Sequence, residues 1–381
     1  MSTRKKLDEM CRRIDEAYRL ISEKHEMIVD DRRKIDAAYR LISEKHEMIV
    51  DDRKKIDEAY SLISEKHEMI VDERKKIEEM CGKLDELYSL ISEKHEMIMG
   101  IRHDVTSLNK FAILSYWDGR RQTEEEREVI DWIREHGVSM YPYSWADEYK
   151  NKGTIVMTEG GWRFVEHQGK RLYFPKSFDE KKVRQYYNFL IMEQDKRSPH
   201  CYLPDGYTME DNEYIWLDVG AAEGILLLEH IHEIRHGYAI ENDAMWVEAL
   251  RKTFQPYGDK VTIIDKMADS YTDESHIAIS DILDTEEKYF IKIDVEGHEQ
   301  NVLDGIEWDG LKNGSRLAVC AYHHQEDEEK LGAYLKEKGI DFVMSDGYLL
   351  SEWGGEEEPY LRRGLFRAVK RGDMDGTSDN I

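Results

Sequence analysis

The chain has 381 residues, and its 81 acidic and 55 basic side chains give a formal net charge of −26. A field of that sign repels nucleic acid and anionic membrane surfaces, so the sequence predicts neither as a partner. The four cysteines form no CxxC pair, no apolar leader follows Met1, and no run reaches the ~20 apolar residues that span a bilayer. These features argue against a disulfide framework, a cysteine zinc site, membrane insertion and Sec-type export, and they predict a cytoplasmic protein.

Residues 1–105 are predicted to form a heptad-repeat coiled coil. The phrase LISEKHEMI begins at positions 20, 41, 62 and 90, and an apolar residue recurs at every seventh position from Leu7 to Val105. The first proline is Pro142, and a strict seven-residue stripe without proline is typical of a left-handed coiled coil. A lone helix would leave this stripe exposed, so the sequence predicts self-association through this segment.

Residues 106–212 are predicted to be a lead-in segment of short helices and one hairpin. The aromatic-rich runs Trp162–Val165 and Arg171–Phe174 flank a short turn, as the two strands of a hairpin do. The amphipathic stretch Lys181–Gln194 then predicts a helix.

Residues 213–371 alternate between strands and helices, which predicts an α/β domain with a parallel sheet. The predicted strands are Tyr214–Val219, Tyr238–Glu241, Val261–Asp265, Tyr289–Val295, Arg316–Ala321, Asp341–Met344 and Gly364–Val369. The predicted helices are Ala222–Arg235, Ala244–Phe254, Glu299–Ile306 and Glu326–Lys338. The small, polar residues 372–381 predict a disordered tail.

The loop after the first strand carries the first functional signal. Its small residues let a ligand approach the backbone, whose amides face it. The glycine spacing is GxxxG, whereas a dinucleotide pyrophosphate prefers GxGxxG, and this disfavours a nicotinamide-dependent oxidoreductase. The candidate cofactor-binding residues of this segment are Asp218, Gly220, Ala221, Ala222, Glu223 and Gly224.

Two further acidic residues suit the same ligand. Glu241 ends the second predicted strand, where a carboxylate accepts hydrogen bonds from two ribose hydroxyls. Asp269 follows the third strand and is a candidate contact of the adenine amine. Asp218 suits an amine-bearing ligand better than a phosphate, so the pattern predicts a nucleoside that carries an amino acid, namely S-adenosylmethionine.

The segment IKIDVEGHE, residues 291–299, is similar to the hallmark of FkbM-type S-adenosylmethionine-dependent methyltransferases. The resemblance extends from about Trp162 to Lys370 and includes Ser198-Pro199-His200 and Cys320-Ala-Tyr322-His323. It implies a Rossmann-like class I methyltransferase sheet with helices on both faces. It also implies methyl transfer, most often to a hydroxyl of a sugar or a polyketide-type natural product. It does not cover the heptad segment.

Methyl transfer to a hydroxyl requires an in-line displacement and the removal of the acceptor's proton. His323 is the predicted general base because the ordinary pKa of histidine, near 6.5, suits that role, and His298 is its rival. Asp294 and Glu296 are expected at the same rim of the sheet. With one histidine they offer an alternative, a divalent cation that acidifies the hydroxyl, although no metal-ligand spacing requires one.

The sequence therefore predicts a cytoplasmic S-adenosylmethionine-dependent O-methyltransferase that self-associates through a coiled-coil stalk. A neutral sugar or glycan hydroxyl is the preferred acceptor, because the acidic domain disfavours an anionic one. The alternative is a coiled-coil scaffold whose methyltransferase-like domain does not catalyse.

Overall fold

The computed structural model describes residues 3–49, 56–205, 207, 209, 212–350 and 357–371. The chain divides into two compact units, Met1–Ser107 and Leu108–Ile381. The tail predicted to be disordered, residues 372–381, lies outside the described residues. In the part of the chain that is described, no helix combines the length and the apolar character needed to cross a membrane.

The heptad segment is helical wherever it is described. Helix α1 spans Thr3–Ile49, and helix α2 spans Ile56–Trp117. The predicted stripe is its least exposed side, since Ile91 is 8% exposed while its neighbour Leu90 is 48% exposed. Ile21 and Ile70, two further members of the stripe, are also buried within the single chain. Their burial therefore requires no second copy, and supercoiling and self-association stay predictions.

The second unit contains a small antiparallel sheet and a large mixed sheet. Its helices, within the described residues, are α3 (Glu124–His136), α4 (Asp147–Lys150), α5 (Glu180–Glu193), α6 (Ile225–Glu229), α7 (Ala244–Phe254), α8 (Glu299–Asp304) and α9 (Asp327–Glu337). Its strands there are β1 (Val156–Glu159), β2 (Trp162–His167), β3 (Lys170–Phe174), β4 (Tyr214–Val219), β5 (His236–Glu241), β6 (Val261–Asp265), β7 (Met267–Ala268), β8 (His276–Ile277), β9 (Lys288–Ile293), β10 (Arg316–Cys320), β11 (Asp341–Met344) and β12 (Leu365–Val369).

The predicted hairpin is confirmed, because β2 and β3 pair antiparallel, and β1 adds a third strand that the sequence did not predict. Residues 108–212 form no compact unit of their own, since they belong to the same unit as the large sheet. The side chain of Thr123 caps α3 in a reciprocal capping box with Glu126.

The predicted α/β sheet is confirmed. Its described strands lie in the order β11-β12-β10-β9-β4-β5-β6, with β10, β9, β4, β5 and β6 parallel and β12 antiparallel to both its neighbours. Alternate residues of the buried strands pack into two cores. Trp216 of β4 packs in one core with Leu250 of α7, and Leu217 packs in the other with Val302 of α8, so helices cover both faces.

Two predicted boundaries near the site are wrong. The helix predicted over Ala222–Arg235 is only α6, which begins after Gly224 in a left-handed conformation. The four residues from Ile225 to Leu228 are all buried, so the segment has no solvent-facing side on which an amphipathic helix could continue. The strand predicted to reach Val295 ends at Ile293.

Candidate functional site

The carboxyl ends of the parallel strands open into one cavity of about 570 Å³. The residues that line it after successive strands are Tyr322 after β10, Asp294 after β9, Gly220 after β4, Glu241 at the end of β5 and Met267 after β6. Of the predicted site residues, Asp218, Ala221, Ala222, Glu223, Glu296 and His298 also line it. This is the position at which open α/β sheets bind ligands.

The loop after β4 is shaped by close backbone contact. Gly220 has φ +76°, and a β-carbon there would lie 1.9 Å from the carbonyl oxygen of Asp294, so no other residue fits without a shift of the backbone. Gly224 also has positive φ, but a β-carbon there would meet Leu250 and Phe254 at 2.7 and 2.8 Å. Gly224 does not line the cavity, and its role is to let the loop pack against α7.

Glu241 holds the same loop from the next strand. Its Oε2 accepts a hydrogen bond from the backbone amide of Ala222 at 2.9 Å. Its Oε1 accepts from the amides of Asn242 and Asp243 at 2.9 and 2.8 Å. The carboxylate is therefore fixed at the cavity wall, with its charge stabilised by backbone donors.

Asp218 and Lys292 form a buried ion pair behind the loop. Lys292 Nζ lies 3.0 Å from Asp218 Oδ1 and donates a hydrogen bond to the carbonyl of Gly220 at 2.5 Å. Burial raises the pKa of Asp218, an effect that Lys292 opposes. Burial alone would lower the pKa of Lys292, but Asp218 and Asp294 hold it above its ordinary value. Lys292 is thus a buried charge that is paired with Asp218.

The carboxylate of Asp294 is contacted by three side chains of the protein. Its Oδ2 accepts a 2.6 Å hydrogen bond from the hydroxyl of Tyr202 and lies 3.6 Å from His200 Nε2, while its Oδ1 lies 3.5 Å from His323 Nε2. Burial by itself would raise the pKa of Asp294, but its close contact with His200 and the charge of Lys292 hold it well below its ordinary value. A carboxylate with so low a pKa is a weak base.

The premise that His323 titrates near its ordinary pKa is wrong. The ring does not line the cavity, and its side chain is 8% exposed. Its Nδ1 lies 3.0 Å from Glu299 Oε1, and its Nε2 lies 3.7 Å from Glu296 Oε2. Burial lowers the pKa of His323, but the contact with Glu299 and the charge of Asp294 outweigh it and raise the pKa to about 9. The ring is therefore already protonated at neutral pH.

Glu296 borders that cluster from the rim of the cavity, whereas His298 and Asp269 form a separate pair. Glu296 follows the end of β9 with φ +55°, and its side chain is 94% exposed at the rim of the cavity. His298 lines the cavity, and its Nε2 lies 3.0 Å from Asp269 Oδ2. Asp269 is buried and does not itself line the cavity, and its Oδ1 accepts from the amide and hydroxyl of Ser270. The carboxylate of Asp269 therefore fixes the position of the His298 ring.

One wall of the cavity comes from α5 and the segment after it, far from the sheet strands in sequence. Sequence reasoning assigned no site role to Tyr186, Glu193 or Tyr202, and it placed Trp246 in the core. Trp246 packs against Tyr186 with ring centroids 5.2 Å apart, but both rings line the cavity. The available signal was the resemblance itself, which includes Glu193-Gln194 and Ser198-Pro199-His200.

Among the described residues, two groups have side chains close enough to share a metal ion. One is Asp294 with Glu299 and His323, and the other is Asp294 with His200 and Cys320. Neither group is the predicted set of Asp294, Glu296 and a histidine. In the first group a protonated His323 ring offsets one of the two carboxylate charges.

Comparison with known proteins gives structural similarity only. No family model matches the chain, and no curated protein matches it. One similar solved structure is precorrin-6y C5,15-methyltransferase from Geobacter metallireducens GS-15, at 14% identity and a TM-score of 0.33 over 54% of this chain and 96% of that one. Another is a SAM dependent methyltransferase from Aquifex aeolicus, at 15% identity and a TM-score of 0.31 over 51% of this chain and 100% of that one.

A third similar structure is M. jannaschii TYW2 in complex with AdoMet, at 12% identity and a TM-score of 0.34 over 57% of this chain and 90% of that one. These identities and scores are too low to carry an argument about activity. The interpretation of the site therefore depends on its own geometry.

Proposed function

We propose that the chain is an S-adenosylmethionine-dependent methyltransferase of the FkbM type that transfers a methyl group to a hydroxyl of a neutral sugar or glycan. The observation that carries the proposal is the contact between Gly220 and Asp294, which brings the loop after β4 and the end of β9 together at one cavity beside Glu241. A nucleoside that carries an amino acid matches the small-residue loop and the adjoining strand-end carboxylate.

The donor set of the cavity fits this cofactor. Glu241 would accept hydrogen bonds from the ribose hydroxyls, and the loop from Gly220 to Glu223 would offer backbone amides to the amino-acid moiety. The cavity is lined by Glu193, Asp218, Glu223, Glu241, Asp294 and Glu296 against Lys266 and Lys292, an excess of carboxyl groups that suits a cationic ligand. When bound, the cofactor supplies an activated methyl group on a positively charged sulfur.

The same charge pattern favours a neutral acceptor over an anionic one. Buried acidic side chains repel phosphate and carboxylate groups, whereas tyrosine hydroxyls and glutamate oxygens suit the hydroxyl groups of a sugar. Asp294 keeps Tyr202 oriented through its 2.6 Å hydrogen bond, and Trp246 with Tyr186 gives an aromatic wall. Self-association through residues 1–105 remains part of the proposal, and sedimentation velocity of the full chain tests it.

The test of the cofactor is calorimetric titration of the full chain with S-adenosylmethionine. Glu241→Gln should weaken binding about tenfold or more, because a buried charge-assisted hydrogen bond is worth about 1.5–3 kcal/mol. The matched control is Glu248→Gln on α7, an exposed residue paired with Lys176, which should bind as the wild type does. If the folded wild type does not bind S-adenosylmethionine, the proposal is wrong and the scaffold alternative gains weight.

A further inference from the structure

The strand order divides the cavity into two ends. Glu241 at the end of β5 and Met267 after β6 lie on one side of the glycine loop, and Asp294 after β9 and Tyr322 after β10 lie on the other. On the proposed function, on which this inference depends, the ribose lies beside Glu241. The β9–β10 end is then left for the methyl acceptor, and the group that takes the acceptor's proton must be there.

The predicted base His323, its rival His298 and the carboxylate of Asp294 are all poorly suited to take that proton. His323 is enclosed by carboxylates, does not line the cavity and is protonated at neutral pH. Asp294 accepts from Tyr202 and is flanked by His200 and His323, so its basicity is low. His298 lines the cavity, but it is held by Asp269 of the segment that follows β7, towards the nucleoside end.

Glu193 is the candidate that lies inside the cavity at the β9–β10 end, since the side chain of Glu296 at the rim is 94% exposed. It is the last residue of α5, it lines the cavity, and its Oε1 accepts a hydrogen bond from the hydroxyl of Tyr141 at 3.3 Å. Within the described part of the chain, the hydrogen bond that the structure shows to this carboxyl group is the one at Oε1. A carboxyl group that is anchored through one oxygen beside a ligand cavity has the geometry of a general base.

A hydroxyl that can hold the acceptor lies in the same part of the cavity. Gln194 Oε1 accepts from the amide of Tyr202 at 3.2 Å, so its Nε2 faces His200 Nδ1 at 3.4 Å as the donor. His200 therefore carries its proton on Nε2, which lies 3.1 Å from the hydroxyl of Tyr322. Because Tyr322 accepts from His200, its own proton is free to point to a bound hydroxyl group.

We propose that Glu193 is the general base of methyl transfer and that Tyr322 holds the acceptor oxygen for it. The acceptor's O–H proton passes to a carboxylate oxygen of Glu193 as the acceptor oxygen bonds to the methyl carbon. The carbon–sulfur bond breaks, and its electron pair stays on the sulfur, which becomes a neutral thioether. Glu193 later returns the proton to solvent, so atoms and charge balance.

The electrostatic surroundings of Glu193 suit that step. Burial raises the pKa of Glu193 to about 7, with His200 opposing and Asp294 adding to the shift. Such a carboxylate is a much stronger base than an exposed one and is still substantially ionised near neutral pH. The other groups whose charge or polarity reaches Glu193 are Tyr141, Tyr186, Tyr202, Glu223, Lys292 and Tyr322.

The first experiment is pH-dependent carbodiimide labelling of the full chain, with the adduct at each glutamate measured by peptide mass spectrometry. Carbodiimides react with protonated carboxyl groups, so labelling of Glu193 should persist until about pH 7. The control is Glu180 at the exposed start of α5, paired with Arg184, whose labelling gives the response of a solvent-exposed carboxyl group. Labelling of Glu193 that ends with that of Glu180, or that never occurs, would contradict the proposal.

The second experiment compares Glu193→Gln with Glu180→Gln on a sugar that the wild type methylates. Glu193→Gln should lose about 10²–10⁴-fold in kcat, together with the limb of the pH profile near 7, while S-adenosylmethionine binding stays within about threefold. Tyr322→Phe should mainly raise KM and keep that limb. Normal turnover by Glu193→Gln overturns this inference alone, whereas absent cofactor binding by the folded wild type overturns the proposed function.

Discussion

The backbone carbonyl of Asp294 occupies the position that a side chain on Gly220 would need, since a β-carbon there would lie 1.9 Å from the oxygen. The loops that follow two neighbouring strands are therefore in van der Waals contact along their backbones. This contact closes the floor of the cavity between β4 and β9. The shape of the site therefore depends on residue 220 being a glycine.

Gly220→Ala should destabilise the protein and abolish S-adenosylmethionine binding. The substitution adds a left-handed backbone penalty of about 1–2 kcal/mol and a clash that only a shift of the loop can relieve. Gly169→Ala is the matched control, because Gly169 has φ +75° but no atom within 4 Å of its β-carbon position. Urea unfolding and calorimetric titration check both variants, and equal losses in the two would show that the contact with Asp294 is unimportant.

Lys292→Met should destabilise the protein by about 3–5 kcal/mol, because it leaves Asp218 buried without its partner. The double variant Lys292→Met, Asp218→Asn should recover part of that loss, since no uncompensated charge remains. Lys330→Met, which removes an exposed pair with Glu326, should change the stability much less than Lys292→Met. Urea denaturation measures all three, and a Lys292→Met cost as small as that of Lys330→Met would argue against a buried ion pair.

His323 should give a stability contribution that disappears at alkaline pH. Its folded-state pKa of about 9 lies above the ordinary 6.5, so the contribution is fully present below pH 6.5 and is lost as the pH rises through 9. The difference in unfolding free energy between wild type and His323→Gln should therefore shrink by on the order of 3 kcal/mol between pH 6 and pH 9.5. His136→Gln serves as the exposed control, and a pH-independent difference for His323→Gln would contradict the raised pKa of the ring.

Glu223 should have the same sign of pH dependence for a different reason. Burial raises its pKa to about 8, so the neutral carboxyl group favours folding, and this advantage is lost as the pH rises from about 4.5 through 8. Glu223→Gln should become more stable relative to wild type across that range, by on the order of 2–4 kcal/mol at pH 9. Glu248→Gln is the exposed control, and a pH-independent difference for Glu223→Gln would contradict the burial effect.

The heptad stripe can be tested with two adjacent residues. Ile91→Asp places a charge at a buried position and should lower the helix melting temperature strongly, whereas Leu90→Asp at an exposed position should change it little. Circular dichroism at 222 nm on the full chain measures both, and similar melting curves would exclude a buried stripe.

The large sheet could be predicted because its strands carry their own signal. The runs from Tyr214 to Val219 and from Arg316 to Cys320 are short, apolar and bounded by polar or small residues, and the structure places both strands at or within one residue of the predicted bounds. Strand β1 was missed because Val156 and Met157 are its only apolar members and both are half-buried. The loop after β4 could be recognised because only small residues allow another group to approach the backbone closely, and such residues are visible in the sequence.

The other wall of the cavity could not be predicted in that way. Glu193, Tyr202 and Tyr322 come from three segments and meet only through tertiary packing. The altered pKa of His323 has the same origin, because it follows from the three carboxylates that packing brings to the ring. Residue type alone gives a histidine its ordinary value and cannot show such surroundings.

The packing of the last turns of α2 determines which N-terminal truncations of the protein keep the core of the second unit intact. Ile113 is fully buried in a core with Tyr141 and Leu361, and the indole nitrogen of Trp117 donates to the carbonyl of Pro359 at 3.1 Å. These turns belong to the folded body of the second unit, although they lie on the same helix as the heptads. A truncated protein that begins at residue 118 would lack Ile113 and Trp117, whereas one that begins at Leu108 would keep both side chains in this core.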